Sequence, residues 1–330
     1  MKVLFIGGTG IISSACSELA LQHGIELYLL NRGRSIRPAP AGVISLLADI
    51  RHPDTVLEAL GNLTFDSIVD WVAFTPDQVK TDIQLFHKRT RQYIFISSAS
   101  AYQKPPGSLP ILENTPLINF FWQYSRDKAA CESLLEQAGR KDGFPFTIVR
   151  PSHTYDRTLL PFDGGYTIVA RMRAGKPVVV HGDGTSLWTL THHRDFAVGF
   201  VGLLGNPQAI RQSYHITSDE SLSWNQIYAF VAQAAGAEAK LVHVPSELIA
   251  RYDPEWGCSL LGDKAHSVVF DNHKIRQLVP EFNAVIPFWQ GAQEIMAWHD
   301  EDSSRRVVDP VVDELQERLI AAMKRAHPGE

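Results

Sequence analysis

The sequence contains few cysteines, no long apolar run and no long basic run, and each absence excludes a class of protein. Cys16, Cys131 and Cys258 are far apart and odd in number, which fits neither a disulfide framework nor a zinc motif. No stretch approaches the roughly 18 apolar residues of a membrane span. The apolar run after Met1 is too short for a signal peptide. We therefore expect a cytoplasmic protein with no membrane partner.

The charges are nearly balanced. The chain has 31 Lys and Arg against 36 Asp and Glu, a net charge of −5, so nucleic-acid binding is not expected. Apolar residues make up 45% and charged residues 20%, which is ordinary for a globular protein and argues against long disorder. The 330 residues suffice for one or two domains.

Strands and helices alternate through the first half of the chain. Apolar runs predict strands at 2–6, 25–30, 43–47, 65–72, 92–97 and 146–149, and periodicity predicts helices at 11–23, from 53, at 76–88 and at 121–138. Strands that are apolar along their whole length, separated by helices, indicate a parallel sheet covered on both faces. The predicted fold class is therefore α/β, with a doubly wound parallel sheet.

This regularity fades after Pro151. Short strands at 177–180, 214–217 and 240–244 mix with helices such as 224–235. We predict a first domain over 1–150 and a smaller mixed α/β region over 151–330, with segments that return to the first domain. An amphipathic helix at 310–326 is expected beyond the core, and the tail HPGE, residues 327–330, is expected to be frayed.

A glycine-rich turn follows the first strand. Gly7, Gly10 and Ser13 form G-x-x-G-x-x-S at the mouth of a helix. Glycine allows a tight turn and a close approach of the backbone to a pyrophosphate, which the free amides of the helix N-terminus then face. The position of the turn in the first βαβ unit favours dinucleotide binding over a turn made for packing alone.

The end of the second strand should meet the adenosine ribose of such a ligand. An acidic residue there would select NAD, but the sequence reads Asn31-Arg32-Gly33-Arg34. Either arginine could bind a 2′-phosphate, which favours NADP, although a solvated basic loop is an open alternative. Asp49 is placed to accept a hydrogen bond from the adenine, with a capping role in the next turn as its alternative.

A tyrosine and a lysine lie four residues apart on one predicted helix face, at Tyr124 and Lys128. Hydride transfer needs a group that gives or takes a proton at the oxygen being converted. A nearby ammonium and a positive nicotinamide should lower the pKa of the tyrosine. Ser98, at the end of a neighbouring strand, could bond the substrate oxygen.

Together these residues resemble the extended short-chain dehydrogenases/reductases of the NAD-dependent epimerase/dehydratase family, over nearly the whole chain. GGTGIIS is similar to the glycine motif, with Ser13 in place of the last glycine. Val69–Ala73, SSASAY and 149–155 resemble the family's segments around the nicotinamide and the catalytic serine. The segments 175–177, 181–184 and 192–198 resemble the start of its substrate domain.

The resemblance implies a Rossmann domain, bound NAD or NADP, and a nucleotide-sugar-like small-molecule substrate in a C-terminal cleft. The catalytic residues would be Ser98, Tyr124 and Lys128. The cofactor contacts would be Gly7, Gly10, Ile11, Ile12, Asn31, Arg32, Arg34, Asp49, Ile50, Val72, Ala73, Tyr124, Lys128, Pro151, Ser152 and His153. Relatives usually dimerise through the helices at 76–88 and 121–138, so the resemblance suggests a homodimer, although packing on the sheet explains their apolar faces equally well.

Three departures narrow the expected activity. Ala99 and Ser100 follow Ser98 where dehydratases of the family have an acidic pair, so a 4,6-dehydratase is not expected. Trp188 stands where sugar-nucleotide epimerases have an arginine for the substrate pyrophosphate, which favours a smaller carbonyl or hydroxyl substrate. The third departure is Asn31-Arg32 in place of the acidic residue that selects NAD, which favours NADP as the cofactor.

Other polar residues are not assigned to the chemistry. His181, His192 and His193 lack ligands at matching spacing, so no metal is expected. A substrate contact and a packing role are equally open for His153. Arg171 and Arg173 are predicted on a solvated helix face. The stretch 252–265, which could cover the cleft, contains no motif that indicates chemistry.

The sequence therefore predicts an NAD(P)-dependent epimerase or reductase. The alternative is a family member that keeps the fold as a cofactor-binding, RNA-binding or regulatory module without turnover. Some chloroplast relatives bind RNA, and a fold does not fix a function.

Overall fold

A computed structural model describes residues 1–326; the predicted frayed tail at 327–330 lies outside the described residues. The strands are β1 (Lys2–Ile6), β2 (Glu26–Asn31), β3 (Ile44–Leu47), β4 (Ser67–Asp70), β5 (Tyr93–Ile96), β6 (Phe146–Pro151), β7 (His153–Tyr155), β8 (Val178–His181), β9 (Leu187–Trp188), β10 (Leu190–His192), β11 (Ser213–Ile216), β12 (Leu222–Ser223) and β13 (Leu241–Val244).

The α-helices cover both regions. They are α1 (Ile11–Gln22), α2 (Pro53–Leu60), α3 (Pro76–Phe86), α4 (Gln123–Asp142), α5 (Tyr166–Arg173), α6 (His193–Val201), α7 (Trp224–Ala234), α8 (Ser246–Tyr252), α9 (Pro254–Ser259), α10 (His273–Leu278), α11 (Phe288–Glu301) and α12 (Pro310–Ala326). A π-helical turn spans Leu260–Lys264, and short 3₁₀ turns lie at Ala99–Ala101, Pro207–Ala209 and Ser303–Arg305.

Seven parallel strands form the main sheet in the order β11-β6-β5-β4-β1-β2-β3. Its order reverses beside β1, as expected of a doubly wound fold, and the predicted α/β class is confirmed. The outermost strand, β11, comes from beyond residue 151 and pairs with β6. The strand and helix bounds differ from the predicted ones by a few residues: α4, for example, begins at Gln123 and ends at Asp142, before Gly143 in a left-handed conformation.

The central strands of the sheet are buried on both faces, as the uninterrupted apolar strands predict, whereas the edge strand β3 is largely exposed. Alternate side chains of β1 pack into the two helix layers that cover the sheet. Val3 and Phe5 pack in the layer that contains α1 and α6, and Leu4 and Ile6 pack in the layer that contains α2, α3 and α4. The carboxyl ends of the strands therefore form one edge, open between the two helix layers.

The second region is built around the parallel pair β8–β13. Its main cluster joins side chains of α5, α7 and α11. A smaller cluster joins Val179 and Val244 to α8, α9 and α12. Within residues 1–326, no helix combines the length and the apolar character that crossing a membrane requires.

The predicted place of α12 beyond the core is wrong. Leu319 and Ile320 are buried, and the side-chain oxygen of Gln316 accepts a hydrogen bond of 2.8 Å from the backbone N–H of Val179. The predicted solvated position is also wrong for Arg171 of α5, because α12 covers it. Arg171 is only 2% exposed and pairs with Asp313 and Glu317 of α12.

Arg173, on a different face of α5, is exposed as predicted and is also paired. Its guanidinium makes a bidentate contact of 2.7 and 2.6 Å with the Asp300 carboxylate and donates to the Tyr166 hydroxyl at 2.8 Å. Both arginines therefore join α5 to later helices, a contact between distant segments that helical periodicity alone does not reveal.

A buried ion pair joins α4 to the main sheet. Arg150 in β6 donates to both carboxylate oxygens of Glu132 in α4, at 2.6 to 3.2 Å, and both side chains are almost fully buried. Ser97, at the end of β5, donates to the same carboxylate at 2.5 Å. The ion pair therefore fixes the position of α4, which carries Tyr124 and Lys128, relative to the ends of two strands.

Arg150 also belongs to a chain of hydrogen bonds that leads away from Glu132 to Tyr102 and His215. Its Nη1 donates to the Tyr102 hydroxyl at 3.0 Å, and this hydroxyl lies 3.0 Å from Nδ1 of His215. Because Nε2 of His215 lies 2.7 Å from the carbonyl oxygen of Asp271, Nε2 carries the hydrogen and Nδ1 accepts from the tyrosine. Every member of this buried network therefore has a partner.

We expect Glu132→Gln to lower the free energy of unfolding by about 3–5 kcal/mol, because it leaves the Arg150 charge buried without its counter-ion. Urea unfolding measures this change. Glu136→Gln on the same helix is the control: its pair with Arg140 is largely exposed, and the change should be within about 1 kcal/mol. Equal effects of the two substitutions would contradict the importance of the buried pair.

Leu319→Ala should lower the free energy of unfolding by about 2–5 kcal/mol, because it opens a cavity in a closed cluster. Val311→Ala on the same helix removes an exposed side chain and should change it by less than about 0.5 kcal/mol. Thermal or urea unfolding compares the two variants. A Leu319→Ala variant as stable as Val311→Ala would show that α12 does not contribute to the core.

Candidate active site at the edge of the main sheet

The carboxyl ends of the parallel strands open onto a cavity of about 770 Å³, here called the large cavity. Almost all the residues predicted to contact a cofactor or to act in catalysis line it: Gly7, Gly10, Ile11, Ile12, Asn31, Arg32, Arg34, Asp49, Ile50, Val72, Ser98, Tyr124, Lys128, Pro151, Ser152 and His153. The exception is Ala73, which is buried and contributes its carbonyl oxygen to Lys128.

The glycine turn takes the backbone shape that only glycine adopts easily. Gly7 and Gly8 have φ of 100° and 95°, and a Cβ on Gly8 would lie 2.5 Å from the Leu29 side chain. Ser13, in place of a third glycine, accepts a hydrogen bond of 2.8 Å from the N–H of Gly10. The turn leads into α1, whose first amides have no partner within the helix, so it could hold a pyrophosphate.

Two arginines border the cavity after β2. Arg32 and Arg34 are exposed, and neither forms an ion pair with the residues that the structure describes. The Asn31 side chain is used locally, since its oxygen accepts from the N–H of Gly33 at 2.9 Å. This end of the cavity could therefore bind a phosphate group through two guanidinium groups.

Asp49 lines the cavity and also caps the turn that follows β3. Its carboxylate accepts a hydrogen bond of 3.0 Å from the N–H of Arg51, so the capping contact left open by the sequence is present. Arg51, which the sequence reasoning missed, also lines the cavity and donates to the carbonyl oxygen of Val72 at 2.6 Å. Nothing in its local sequence pattern indicates this long-range contact.

Lys128 is buried beneath the cavity floor. Its ammonium donates to the carbonyl oxygens of Ala73 and Ile96, both at 2.7 Å. It lies within 5 Å of the ring centres of Phe74 and Phe95. Burial lowers the pKa of Lys128 to about 8. Two of its three N–H groups are thus used by the protein, and one remains for a ligand.

In the protein alone the pKa of Tyr124 is raised, although its spacing from Lys128 suggests a lowered value; the further lowering by a bound nicotinamide stays a prediction. Burial raises the pKa of its hydroxyl, a hydrogen bond with Ser98 lowers it, and the Asp263 carboxylate raises it further. The Lys128 ammonium lies 5.8 Å from the centre of the tyrosine ring and is directed at backbone carbonyls. In the protein alone Tyr124 is therefore a neutral phenol at neutral pH.

Ser98 lies where β5 ends, beside the first turn of α4. Its hydroxyl accepts a hydrogen bond of 3.1 Å from the N–H of Ser100 and lies 2.8 Å from the Ser100 hydroxyl. These local contacts fix the side chain at the rim of the cavity. The sequence predicts that Ser98 and Tyr124 act together, and both side chains line the large cavity.

His153 is held by the tryptophan of β9. The indole N–H of Trp188 donates to Nδ1 of His153 at 3.1 Å, so the histidine hydrogen is on Nε2. Burial lowers the pKa of His153 to about 3, which keeps the ring neutral. Within residues 1–326 its Nε2 has no hydrogen-bond partner, so it is a neutral donor at the cavity wall.

A second cavity of about 300 Å³, here called the inner cavity, adjoins the first. Ser98, Tyr124, Pro151, Ser152 and His153 line both cavities. The inner cavity is completed by aromatic and charged side chains of both regions, among them Lys104, Trp122, Trp188, Asp263, Lys264 and Phe270. Two ligands bound side by side would therefore meet at Ser98, Tyr124 and His153.

The charged residues of the inner cavity were missed by the sequence reasoning. Lys104 and Asp263 form a buried ion pair of 2.6 Å. Lys104 lies in an irregular loop, and Asp263 in the π-helical turn of the stretch that contains no recognised motif. Only their contact, 159 positions apart in the sequence, reveals that they belong to the site.

His181, His192 and His193 each bond a different partner, although the rings of His192 and His193 lie 4.8 Å apart. His181 bonds the carbonyl oxygen of Lys264, His192 bonds Glu294, and His193 bonds the carbonyl oxygen of Ile11 at the start of α1. No group of three metal-ligating side chains is found in the part of the chain that the structure describes. Each ring contributes to packing between segments around the site.

Known proteins resemble this chain in sequence. The chain is 26% identical to the chloroplast stem-loop binding protein of 41 kDa b from Arabidopsis thaliana, over 73% of this chain and 65% of that protein. It is 25% identical to the 2′-dehydrokanamycin reductase of Streptomyces kanamyceticus, over 86% of this chain and 80% of that enzyme. The chain thus spans less than two thirds of the first relative and about four fifths of the second.

A solved structure shares the fold. The UDP-glucose 4-epimerase of Thermus thermophilus, in complex with NAD, superposes with a TM-score of 0.70 over 90% of this chain and 98% of that chain, at 19% identity. At this identity the likeness shows the fold alone. The model of the NAD dependent epimerase/dehydratase family matches residues 3–217, which include the glycine turn, Ser98, Tyr124 and Lys128. The chain therefore belongs to the NAD dependent epimerase/dehydratase family, as the sequence predicts.

Proposed function

We propose that the protein is an NAD(P)-dependent epimerase or reductase that acts on a hydroxyl or carbonyl group of a sugar, a nucleotide sugar or a related small molecule. The observation that carries this proposal is the wall shared by the two cavities. Ser98 and Tyr124 line both, so a substrate in the inner cavity would meet proton-transferring groups beside the large cavity. The family, and the reductase among the compared relatives, support the same reaction class.

The large cavity has the features that a dinucleotide requires. Its glycine turn and the first amides of α1 fit a pyrophosphate, and the exposed Arg32 and Arg34 fit a 2′-phosphate, so we propose NADP as the preferred cofactor. When bound, the cofactor would supply or accept the hydride. The remaining N–H of Lys128 would hold a hydroxyl group of the nicotinamide ribose.

The proton transfer is assigned to Tyr124. As a neutral phenol it can give its proton to a carbonyl oxygen that is being reduced, and it takes a proton back in the opposite direction. Ser98 would bond the same substrate oxygen and hold it near the phenol. No acidic pair follows Ser98, since Ala99 and Ser100 line the inner cavity there, so the proposal does not include 4,6-dehydration.

Epimerisation and reduction differ in the fate of the cofactor. An epimerase returns the hydride to the same substrate and can keep its cofactor, whereas a reductase exchanges it in each turnover. Cofactor that copurifies with the protein and survives dialysis would favour the epimerase.

The proposed homodimer through α3 and α4 rests on the family resemblance. Buried apolar residues of these helices, including Val79, Leu85 and Leu135, pack in the layer against the sheet, so they do not require a partner. Light scattering of the purified protein decides between monomer and dimer.

Cofactor choice is the first test. We expect NADP to raise the melting temperature of the cofactor-stripped protein more than NAD, because a ligand that binds only the folded state stabilises it, by about 2.7 kcal/mol at a hundredfold excess over the Kd. In the double variant Arg32→Ala/Arg34→Ala, the Kd for NADP should rise roughly 10- to 100-fold, the effect of losing a charge-assisted bond, and the Kd for NAD should be unchanged.

Arg91→Ala is the control for this test, because it removes one exposed arginine that does not line the large cavity. It should leave both Kd values unchanged. A larger shift with NAD than with NADP would contradict the assigned cofactor preference, and no shift with either would contradict the proposed enzyme.

Tyr124→Phe tests the proposed proton transfer. With a panel of sugars, keto sugars and nucleotide sugars as substrates and reduced-nicotinamide absorbance as the readout, we expect turnover to fall roughly 10²- to 10⁴-fold. The Kd for the cofactor should change little. Tyr252→Phe, which removes a hydroxyl away from both cavities, should retain full activity.

Unchanged turnover in Tyr124→Phe would refute the assigned role of the tyrosine. A protein that binds the cofactor and a labelled RNA stem-loop, but turns over no substrate, would instead support the binding-module alternative.

A further inference from the structure

We infer that the inner cavity takes a compact, hydroxylated ring compound that carries no phosphate, and that it excludes nucleotide sugars. This inference rests on the proposed function and specifies its substrate class. It follows from three features of the cavity: its charges are already neutralised, its outer neighbour is acidic, and its free polar group is an uncharged donor.

The cations of the inner cavity are already paired. Lys104 and Asp263 lie 2.6 Å apart, with side chains 1% and 11% exposed. Lys264 donates to Asp163 at 3.1 Å and lies 3.4 Å from the Ser259 hydroxyl. Among residues 1–326, no arginine lines this cavity. A diphosphate would therefore be buried without a free counter-ion, at a large desolvation cost.

The space beyond the inner cavity is acidic. An outer pocket of about 360 Å³ shares Trp122 and Lys264 with the inner cavity. Its other charged residues are Asp163, which is paired with Lys264, and the carboxylates Asp253 and Glu255, which give the pocket an excess of negative charge. A nucleotide that extended from the inner cavity in this direction would bring its phosphates towards these carboxylates, and like charges repel.

The polar group that the cavity offers is neutral. The indole N–H of Trp188 donates a hydrogen bond to Nδ1 of His153. The Nε2–H of the His153 ring is therefore the group that can donate to a substrate oxygen. The lining also includes the aromatic side chains of Trp122, Trp188 and Phe270. Aromatic walls and uncharged donors suit a ring that carries hydroxyl or carbonyl groups.

The size of the inner cavity agrees with this assignment. About 300 Å³ is the lower end of the range for small-molecule sites. A single hydroxylated ring is compatible with this volume. A nucleotide sugar has a base, a ribose, a diphosphate and a second sugar, and would have to extend into the acidic outer pocket.

Saturation-transfer NMR on the cofactor-loaded protein tests the assignment. The probes are glucose, galactose, glucosamine and myo-inositol on one side, and UDP-glucose and UDP-galactose on the other. We expect transfer to one or more of the free rings and none to the uracil protons. Transfer to uracil, or transfer to none of the free rings, would overturn the inference.

Two variants test the physical reason. Asp263→Asn frees the Lys104 charge, and Trp188→Arg adds a cation, so each should increase the affinity for UDP-glucose at least roughly tenfold over the native protein. Glu281→Gln, a charge-matched change outside both cavities, should not. Two variants are used because either alone could fail to fold, which the melting temperature reveals. If the folded variants gain no affinity, the charge argument is wrong.

The outcomes separate this inference from the proposed function. A protein that turns over UDP-galactose would keep the proposed function and overturn the inference. A protein that binds free rings but neither cofactor would overturn the proposed function.

Discussion

The buried ion pair between Glu132 and Arg150 determines how the reactive side chains meet. Glu132 lies on α4, one helical turn after Lys128 and two turns after Tyr124. Arg150 belongs to β6, just before the segment that carries His153. The carboxylate also holds Ser97, the neighbour of Ser98. One charged contact thus joins the helix with the tyrosine to the strand ends with the serine and the histidine. Since an unpaired charge in this place would be costly, the three elements are fixed together.

The parts of the site that sequence reasoning reaches are those that depend on local spacing. The glycine turn needs a backbone shape that Gly7 and Gly8 supply, and Tyr124 and Lys128 share a helix face because of the helical repeat. Apolar strands predict the sheet, because a strand buried on both faces has no polar side. These features are encoded within a few residues, and the predicted family and fold are confirmed.

The rest depends on contacts between distant segments. The local sequence around Arg171 predicts a solvated residue, but α12 covers this side chain in the folded protein. The ion pair between Lys104 and Asp263 likewise joins two irregular segments that are distant in the sequence. The pKa of Tyr124 is a further example. The spacing to Lys128 suggests a lowered value, but burial opposes it and the ammonium is bound to carbonyl oxygens. The burial of the Tyr124 hydroxyl and the orientation of the Lys128 ammonium depend on the tertiary structure, so the helical spacing of the two residues does not predict them.

The two cavities also differ in how far the main sheet determines their lining. The large cavity is formed mainly by strand ends and the turn after β1, so its shape follows from the fold. The inner cavity takes Trp188, Asp263 and Lys264 from the second region, where no regular pattern fixes them. At the shared wall the protein presents a neutral phenol at Tyr124 and a neutral imidazole at His153. Both can donate a hydrogen bond without adding charge, so under the proposed function the wall would stabilise an oxygen that gains negative charge. Such an oxygen forms when a carbonyl is reduced, and the resting protonation of the site therefore matches the reductive half of the reaction.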